Sequence, residues 1–127
     1  MKKNFILSII FSAFVLIPSW AMAGSIEGTI QGYNCVTRGQ VCPIDKEDPV
    51  IAVERVFVLL TDSGEYYFIP NLDRAILARH IGQKARVTGN IDKKYKSIKA
   101  ESLEVMKKGT WKETWSEKME KKFREQF

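Results

Sequence analysis

Two cysteines, Cys35 and Cys42, are the residues of this chain best suited to chemistry. Six residues separate them, whereas dithiol oxidoreductases use the Cys-x-x-Cys spacing. A structural zinc site would need two further ligands, and His80 is the one histidine of the chain. In an exported chain, an even pair of cysteines favours a structural disulfide between Cys35 and Cys42. A thiol-redox, haem-handling or metal-handling accessory role for this pair stays open as the alternative.

Other polar candidates are weaker. Asp45, Glu47 and Asp48 could together hold a divalent cation, but a run of charges in a loop is more often solvated. His80 could transfer a proton or bind a metal, but it stands alone without Cys, Asp or Glu at ligand spacing, so we expect it to pack or cap. No serine-nucleophile motif, phosphate loop or carboxylate pair is recognisable. The sequence therefore predicts a non-catalytic protein without a metal or a cofactor.

Aromatic residues offer a candidate binding face. Rings on the surface of a small β-barrel can stack on bases or sugars. Alternation along a strand places Tyr67 on one face and both Tyr66 and Phe68 on the other, so about half of the candidates belong to the core. The candidate residues are Tyr33, Tyr66, Tyr67, Phe68 and Tyr95.

The first 23 residues have the pattern of a cleavable signal peptide. Lys2 and Lys3 form a positive start, an apolar run covers residues 5–17, and Ala21-Met22-Ala23 is a small-x-small cleavage site. The apolar run, of about 13 residues, is shorter than the roughly 20 that span a bilayer. We expect cleavage after Ala23, a periplasmic location and no stable membrane span in the mature protein.

The remaining 104 residues are enough for one domain. The net charge of the whole chain is +5, and loss of Lys2 and Lys3 lowers it to +3. Such a mild excess neither favours nor excludes an anionic partner. Export, in contrast, argues against nucleic acid, so we expect an envelope protein or a small ligand as the partner.

Hydrophobic alternation and turn residues predict five strands and one short helix. The segment between the first two strands, which holds both cysteines, is predicted to be a long loop. Apolar parity slips within the fifth strand, because Ala100 and Leu103 would lie on opposite faces; a β-bulge near Glu101-Ser102 would return both to the core. The predicted strands cover residues 25–33, 51–61, 65–69, 84–91 and 97–106, and the predicted helix covers residues 71–81.

The C-terminal segment has a different composition. Large apolar residues recur there every fourth position among Lys, Glu and Arg, which predicts one apolar stripe along a helix. The stripe could dock on its own domain, lie on a membrane surface or contact another protein. Its members are Trp111, Trp115, Met119, Phe123 and Phe127.

The predicted order of elements, with a helix between the third and fourth of five strands, is that of the OB-fold, a Greek-key barrel. Residues 84–92 and 97–105 are similar to the fourth and fifth OB-fold strands, in which V-x-G-x-V/I leads through a turn to I-x-V/A-x-x-I/L-x-V. With its signal peptide, the chain resembles the exported bacterial OB-fold proteins. The resemblance implies an all-β barrel over residues 24–109 with a tail over 110–127, and a role in binding small ligands, cations or proteins.

Overall fold

A computed structural model describes residues 21–43 and 49–127 of the chain. The predicted signal segment up to residue 20 lies outside the described residues, as do Asp45, Glu47 and Asp48. Within the described ranges, no helix has both the length and the apolar character needed to cross a membrane. The described elements are β1 (Ala21–Gly32), α1 (Tyr33–Thr37), α2 (Pro49–Val53), β2 (Phe57–Leu60), β3 (Tyr66–Phe68), α3 (Arg74–Ala78), β4 (Lys84–Asp92), β5 (Ser97–Lys107), β6 (Thr110–Ser116) and α4 (Glu117–Gln126).

The strands form one sheet in the order β3-β2-β1-β4-β5-β6, and neighbours in this order run antiparallel. The long strand β1 pairs with β4 along its first part and with β2 along its last part. A parallel pairing of Phe68 with Ser97 joins β3 to β5. The first five strands therefore close on themselves as a barrel-like sheet, and β6 extends this sheet beyond β5.

The interior is filled from the inward faces of the central strands. Helix α3 covers part of it through Leu77, which is buried. Asp73 caps this helix by accepting a hydrogen bond from the backbone N–H of Ala75 at 2.7 Å. The largest fully buried side chains are Ile30, Val58, Leu59, Val87, Ile98, Leu103 and Val105.

The predicted bulge in the fifth strand is confirmed. Thr88 faces Ser102 while Gly89, the next residue of β4, faces Ala100. Glu101 is therefore the extra residue of β5, and the strand changes parity across it. As a result, Ala100 and Leu103 are both fully buried.

The prediction of five strands and one helix was wrong in its counts. The described residues contain a sixth strand, and three further helices besides α3. Pro49–Val53, part of which was expected to be strand, forms α2, since proline is favoured at a first helical position. The segment with both cysteines, which was predicted to be a loop, begins with helix α1.

The structure confirms a helix in the tail, but the prediction of one helical stripe from Trp111 to Phe127 was wrong. Lys108 and Gly109 both have positive φ angles, 51° and 77°, which suit a two-residue hairpin turn between β5 and β6. The helix begins only at Glu117, after Ser116 accepts a hydrogen bond from the backbone N–H of Met119. Trp111 and Trp115 therefore lie on a strand.

A register shift in β6 lies between these two tryptophans and gives them different surroundings. Leu103 faces Trp115 and Glu104 faces Glu113, so Thr114 is the extra residue between the two pairs. Trp115 is buried, whereas Trp111 is half-buried beneath Arg86, whose guanidinium carbon lies 4.5 Å from the ring centroid. Only Met119, Phe123 and Phe127 of the predicted stripe lie on or at the end of α4.

Candidate functional site

Three of the five predicted aromatic residues form one cluster, which we call the aromatic surface: Tyr33, Tyr66 and Phe68. The ring centroids of Tyr33 and Phe68 are 5.5 Å apart, and each of these rings is 5.9 Å from that of Tyr66. Tyr66 meets both neighbours edge to face, an arrangement that stabilises aromatic clusters. All three side chains are partly exposed, so a ligand could contact the cluster.

Two separate elements supply the rings of the aromatic surface. Alternation along β3 places Tyr66 and Phe68 on its outer face and buries Tyr67 in the core. Tyr67 is therefore not part of the surface. Tyr33 comes from the start of α1, where its backbone N–H donates to the carbonyl of Val56 at 2.9 Å.

A cavity of about 340 Å³ lies beside the aromatic surface. The turn between β4 and β5 forms one wall, which presents Tyr95 with 67% of its surface exposed. The carboxylate of Asp92 fixes this turn by accepting hydrogen bonds from the backbone N–H groups of Lys94 and Tyr95, at 2.9 and 3.1 Å. Tyr95 thus lines a cavity next to the cluster.

Lysines surround this cavity. The ammonium group of Lys96 lies 2.8 Å from a carboxylate oxygen of Glu65, which lowers the pKa of Glu65 and raises that of Lys96. Lys94 holds its ammonium group 5.3 Å from the ring centroid of Tyr95. The charge of Lys96 is balanced by Glu65, and Lys94 lies against the ring of Tyr95 at the rim of the cavity.

A buried carboxylate positions the segment that carries Tyr33. Glu54 is only 3% exposed and accepts hydrogen bonds from Asn34, through the backbone N–H at 3.0 Å and through Nδ2 at 3.1 Å. The backbone N–H groups of Arg55 and Val56 also donate to it, at 3.1 and 3.4 Å. These bonds satisfy a charge that would otherwise be costly to bury.

Arg74 of α3 anchors the same region. Its guanidinium group donates to the carbonyl oxygens of Glu54, Ile51 and Ala52 at 2.6, 2.7 and 3.2 Å. These carbonyls belong to the last turn of α2 and to the residue after it, where helical partners are lacking. Sequence reasoning missed Glu54 and Arg74, and the one available signal was an acidic residue within the largely apolar stretch 50–60.

The two cysteines lie side by side. The Sγ atoms of Cys35 and Cys42 are 2.6 Å apart, both residues are buried, and the structure holds them as two thiols. The predicted disulfide is therefore not formed in this structure, although its two partners meet. The backbone N–H of Gly32 donates to Sγ of Cys42 at 3.1 Å, and the backbone N–H of Cys42 donates to Oε1 of Gln31 at 3.0 Å.

The surroundings of Cys42 disfavour a reactive thiolate. Burial, together with the neighbouring Cys35 thiol, raises the pKa of Cys42 to about 11. A nucleophilic cysteine needs a lowered pKa, because the thiolate is the attacking species. The described environment therefore suits a structural pair better than a catalytic one.

His80 has the packing role that was expected of it. The residue is buried, and its Nδ1 lies 3.0 Å from Oε1 of Gln83. Across residues 21–43 and 49–127, no three His, Cys, Asp or Glu residues are grouped closely enough to hold a metal ion.

Comparisons with known proteins gave no match, whether the chain was compared with family models, with curated proteins or with solved structures.

Proposed function

We propose that this protein is a non-catalytic binding module of the cell envelope, built on an OB-fold, which binds a partner protein or a small ligand through the aromatic surface. The observation that carries this proposal is the convergence of three partly exposed rings from α1 and β3 at separations of 5.5 to 5.9 Å. Exposed aromatic clusters of this kind are enriched at binding sites.

Strand connectivity supports the OB-fold. The order β3-β2-β1-β4-β5, the parallel contact between β3 and β5, and the helix between β3 and β4 all fit a five-stranded Greek-key barrel. In this proposal β6 and α4 are additions to the barrel. OB-folds bind ligands on the face of strands 2 and 3 and through the loops that follow strands 1 and 4. Tyr33 follows β1, Tyr66 and Phe68 lie on β3, and Tyr95 follows β4.

The chemistry of the surface indicates the kind of ligand. The rings favour a flat apolar group, such as a sugar face or an aromatic side chain. Since an exported protein does not meet nucleic acid, we assign the site to an envelope protein or a small envelope ligand.

Signal-peptide cleavage after Ala23 is compatible with this barrel. Ala21, Met22 and Ala23 pair with residues 92, 91 and 90 of β4 and would be lost. The remaining ladder, from Gly24 opposite Gly89 to Thr29 opposite Lys84, still joins β1 to β4. Amino-terminal sequencing of protein from the periplasm should give Gly24 first, and recovery of uncleaved chain in the membrane fraction would contradict the localisation.

Site-specific photo-crosslinking in living cells tests the binding proposal for a partner protein of any identity. A photoreactive phenylalanine analogue at position 66 or 95 should give a discrete adduct, and the same analogue at Lys112, an exposed position on β6, should not. Phe68→Ala should weaken the adduct from position 95, because it removes a ring from the cluster. For a small ligand, native mass spectrometry of protein isolated from the envelope should show a bound mass that Phe68→Ala loses.

Two results would overturn the proposal. One is equal crosslinking from positions 66, 95 and 112, which would indicate random collisions. The other is the absence of both an adduct and a bound mass in the unsubstituted protein.

The second candidate function is thiol redox chemistry at Cys35 and Cys42, favoured by the 2.6 Å separation of their sulfur atoms. Thiol trapping in intact cells distinguishes it from the binding role. A structural pair should stay in one redox state during growth, whereas a redox factor should alternate between the dithiol and the disulfide. When Cys42 is replaced by serine, a redox factor should also form mixed disulfides with other proteins through Cys35.

A further inference from the structure

Helix α4 leaves its apolar side uncovered. Glu120 is half-buried and the other nine residues of α4 are exposed. Met119 is 46% exposed and Phe123 is 61% exposed, and Phe127 directly after the helix is 93% exposed. These three residues recur every fourth position, so they form one stripe, and the rings of Phe123 and Phe127 are 4.8 Å apart. We call Met119, Phe123 and Phe127 the α4 stripe.

A groove of about 650 Å³ runs beside the α4 stripe. Ile76 of α3 lines one wall, Met119 and Phe123 of α4 line the other, and Trp115 lies between them. Trp115 is held in place by a hydrogen bond from its Nε1 to the carboxylate of Glu120 at 3.2 Å. Apolar residues of α3, β6 and α4 therefore meet in this groove beside polar ones, among them Asp73 and Arg79, and two members of the α4 stripe line it.

We propose that a second copy of this chain covers this face, with the two α4 helices packed antiparallel about a two-fold axis. A groove and a stripe on one surface are self-complementary, as an interface related by a two-fold axis requires. The stripe of each copy enters the groove of the other, and residues spaced by four are the usual anchors when a helix binds in a groove.

The charges of α4 favour a second copy of the chain as the partner, with the two α4 helices antiparallel. Its first turn carries Glu117 and Glu120 with Lys118, a net charge of −1, and the rest of the helix carries three basic residues with Glu125, a net charge of +2. Arg124 is one of these basic residues and lies 3.5 Å from Glu120 of the same helix. In an antiparallel pair, the acidic start of one helix lies beside the basic end of the other, and the two helix dipoles also oppose each other.

The same charges disfavour a membrane surface. A helix that binds anionic lipid carries lysine and arginine along its polar face. Here the three acidic residues Glu117, Glu120 and Glu125 stand among four basic ones and would be repelled by anionic headgroups. A helix with both charges suits a partner that also carries both, such as its own copy.

Sedimentation equilibrium of the purified protein tests the proposal, over about 1 μM to about 1 mM, the range in which weak to moderate dimers dissociate. We expect a monomer–dimer equilibrium. Phe123→Glu should weaken it by about 100-fold or more, because the substitution occurs twice in a two-fold interface. Met119→Glu is a second variant with the same expected direction, and Val41→Glu, which places the same charge at an exposed apolar site elsewhere, should leave dimerisation unchanged.

Circular dichroism and thermal melting should show that Phe123→Glu leaves the fold intact, since the side chain is exposed. A protein that stays monomeric over the whole range would overturn the proposal. So would a dimer that tolerates both Phe123→Glu and Met119→Glu. Binding of a monomer to phosphatidylglycerol vesicles that is lost in Phe123→Glu would assign the α4 stripe to a membrane instead.

Discussion

The carboxylate of Glu54 accepts two hydrogen bonds from Asn34, one from its backbone N–H and one from its side-chain amide. Asn34 directly follows Tyr33, so a buried acid fixes the backbone that carries a ring of the aromatic surface. Gly32, on the other side of Tyr33, is so close that an added Cβ would lie 2.8 Å from Oε2 of Glu54. The shape of the aromatic surface therefore depends on a residue outside it.

Replacement of this carboxylate should destabilise the protein. Glu54→Ala removes the buried acceptor of the N–H groups of Asn34 and Arg55, and we expect a loss of about 1–3 kcal/mol in the free energy of unfolding. The exposed residue Glu101 provides the matched control, for which Glu101→Ala should change stability by less than about 0.5 kcal/mol. Urea denaturation measures both variants, and equal stabilities would show that the Glu54 network is not important for folding.

Stability of the reduced protein should depend on pH through Cys42. Burial raises the pKa of this thiol from 9.0 to about 11, so the folded state holds the proton more tightly than the unfolded state does. This contribution is complete below pH 9 and is lost as the pH rises through about 11. Urea denaturation across that window, under reducing conditions, should show a steeper fall in the free energy of unfolding for the unsubstituted protein than for Cys42→Ser. If the free energies of unfolding of the two proteins fall equally steeply with pH, the raised pKa of Cys42 is contradicted.

Oxidation should close the cysteine pair. Oxidised glutathione can accept the electron pair, so that the two thiols lose their protons, one S–S bond forms and two molecules of reduced glutathione leave. Mass spectrometry should show the loss of two hydrogens in a monomer, and unfolding should become less favourable by about 2.5 kcal/mol for this short loop. Cys35→Ser should abolish both effects. An intermolecular dimer as the main product would contradict the pairing of Cys35 with Cys42.

The sequence predicted the barrel strands well because alternation directly reflects which face of a strand is buried. Ala85, Val87 and Ile91 face the core as expected, whereas Tyr67, a candidate for the binding face, is buried. The tail was misjudged because its large apolar residues recur every fourth position, which is typical of a helix, although Trp111 and Trp115 lie on a strand with a register shift between them. The turn at Lys108 and Gly109, which has no strong signature in residue types, decided between the two structures.

For the candidate site, the sequence predicted which residues take part but not how they are arranged in space. Pattern reasoning could select Tyr33, Tyr66 and Phe68 as aromatic candidates, but their convergence depends on contacts between α1 and β3 that lie far apart in sequence. The sequence did not predict the roles of Glu54 and Arg74, because a buried hydrogen-bond network produces no periodic pattern of residue types. Their importance becomes visible only when the hydrogen-bond partners are known.

Gly89 should be intolerant of any side chain. A Cβ at this position would collide with the carbonyl oxygen of Lys99 on β5, which is backbone and cannot move without breaking the ladder. We expect Gly89→Ala to reduce the free energy of unfolding by about 2–4 kcal/mol, at the large end of single-substitution effects. Gly24→Ala is the control, because the added Cβ would meet only the flexible end of Ile91, at 3.2 Å. If both variants melt at the same temperature, the close approach of β4 and β5 at Gly89 is not present in solution.

The bulge at Glu101 should be dispensable for the register of β5. Ala100 and Leu103 are both fully buried, which a regular strand cannot achieve at an odd spacing. Deletion of Glu101 would bring these two residues to an even spacing, so that both would still face the core and keep their register with β4. We therefore expect the deletion to cost less than Leu103→Ala, which should itself cost about 2–5 kcal/mol by leaving a cavity in the core.

The substitution Glu101→Ala keeps the extra residue in β5 and removes most of its side chain. It therefore tests the side chain separately from the backbone. Because the side chain is exposed, this variant should stay within about 0.5 kcal/mol of the unsubstituted protein, and the deletion variant should keep cooperative unfolding in urea. Amide exchange provides the structural readout: slow exchange should persist over 85–91 and 98–105 in both variants. Loss of slow exchange in the deletion variant alone would show that β5 needs the extra residue to pair with β4.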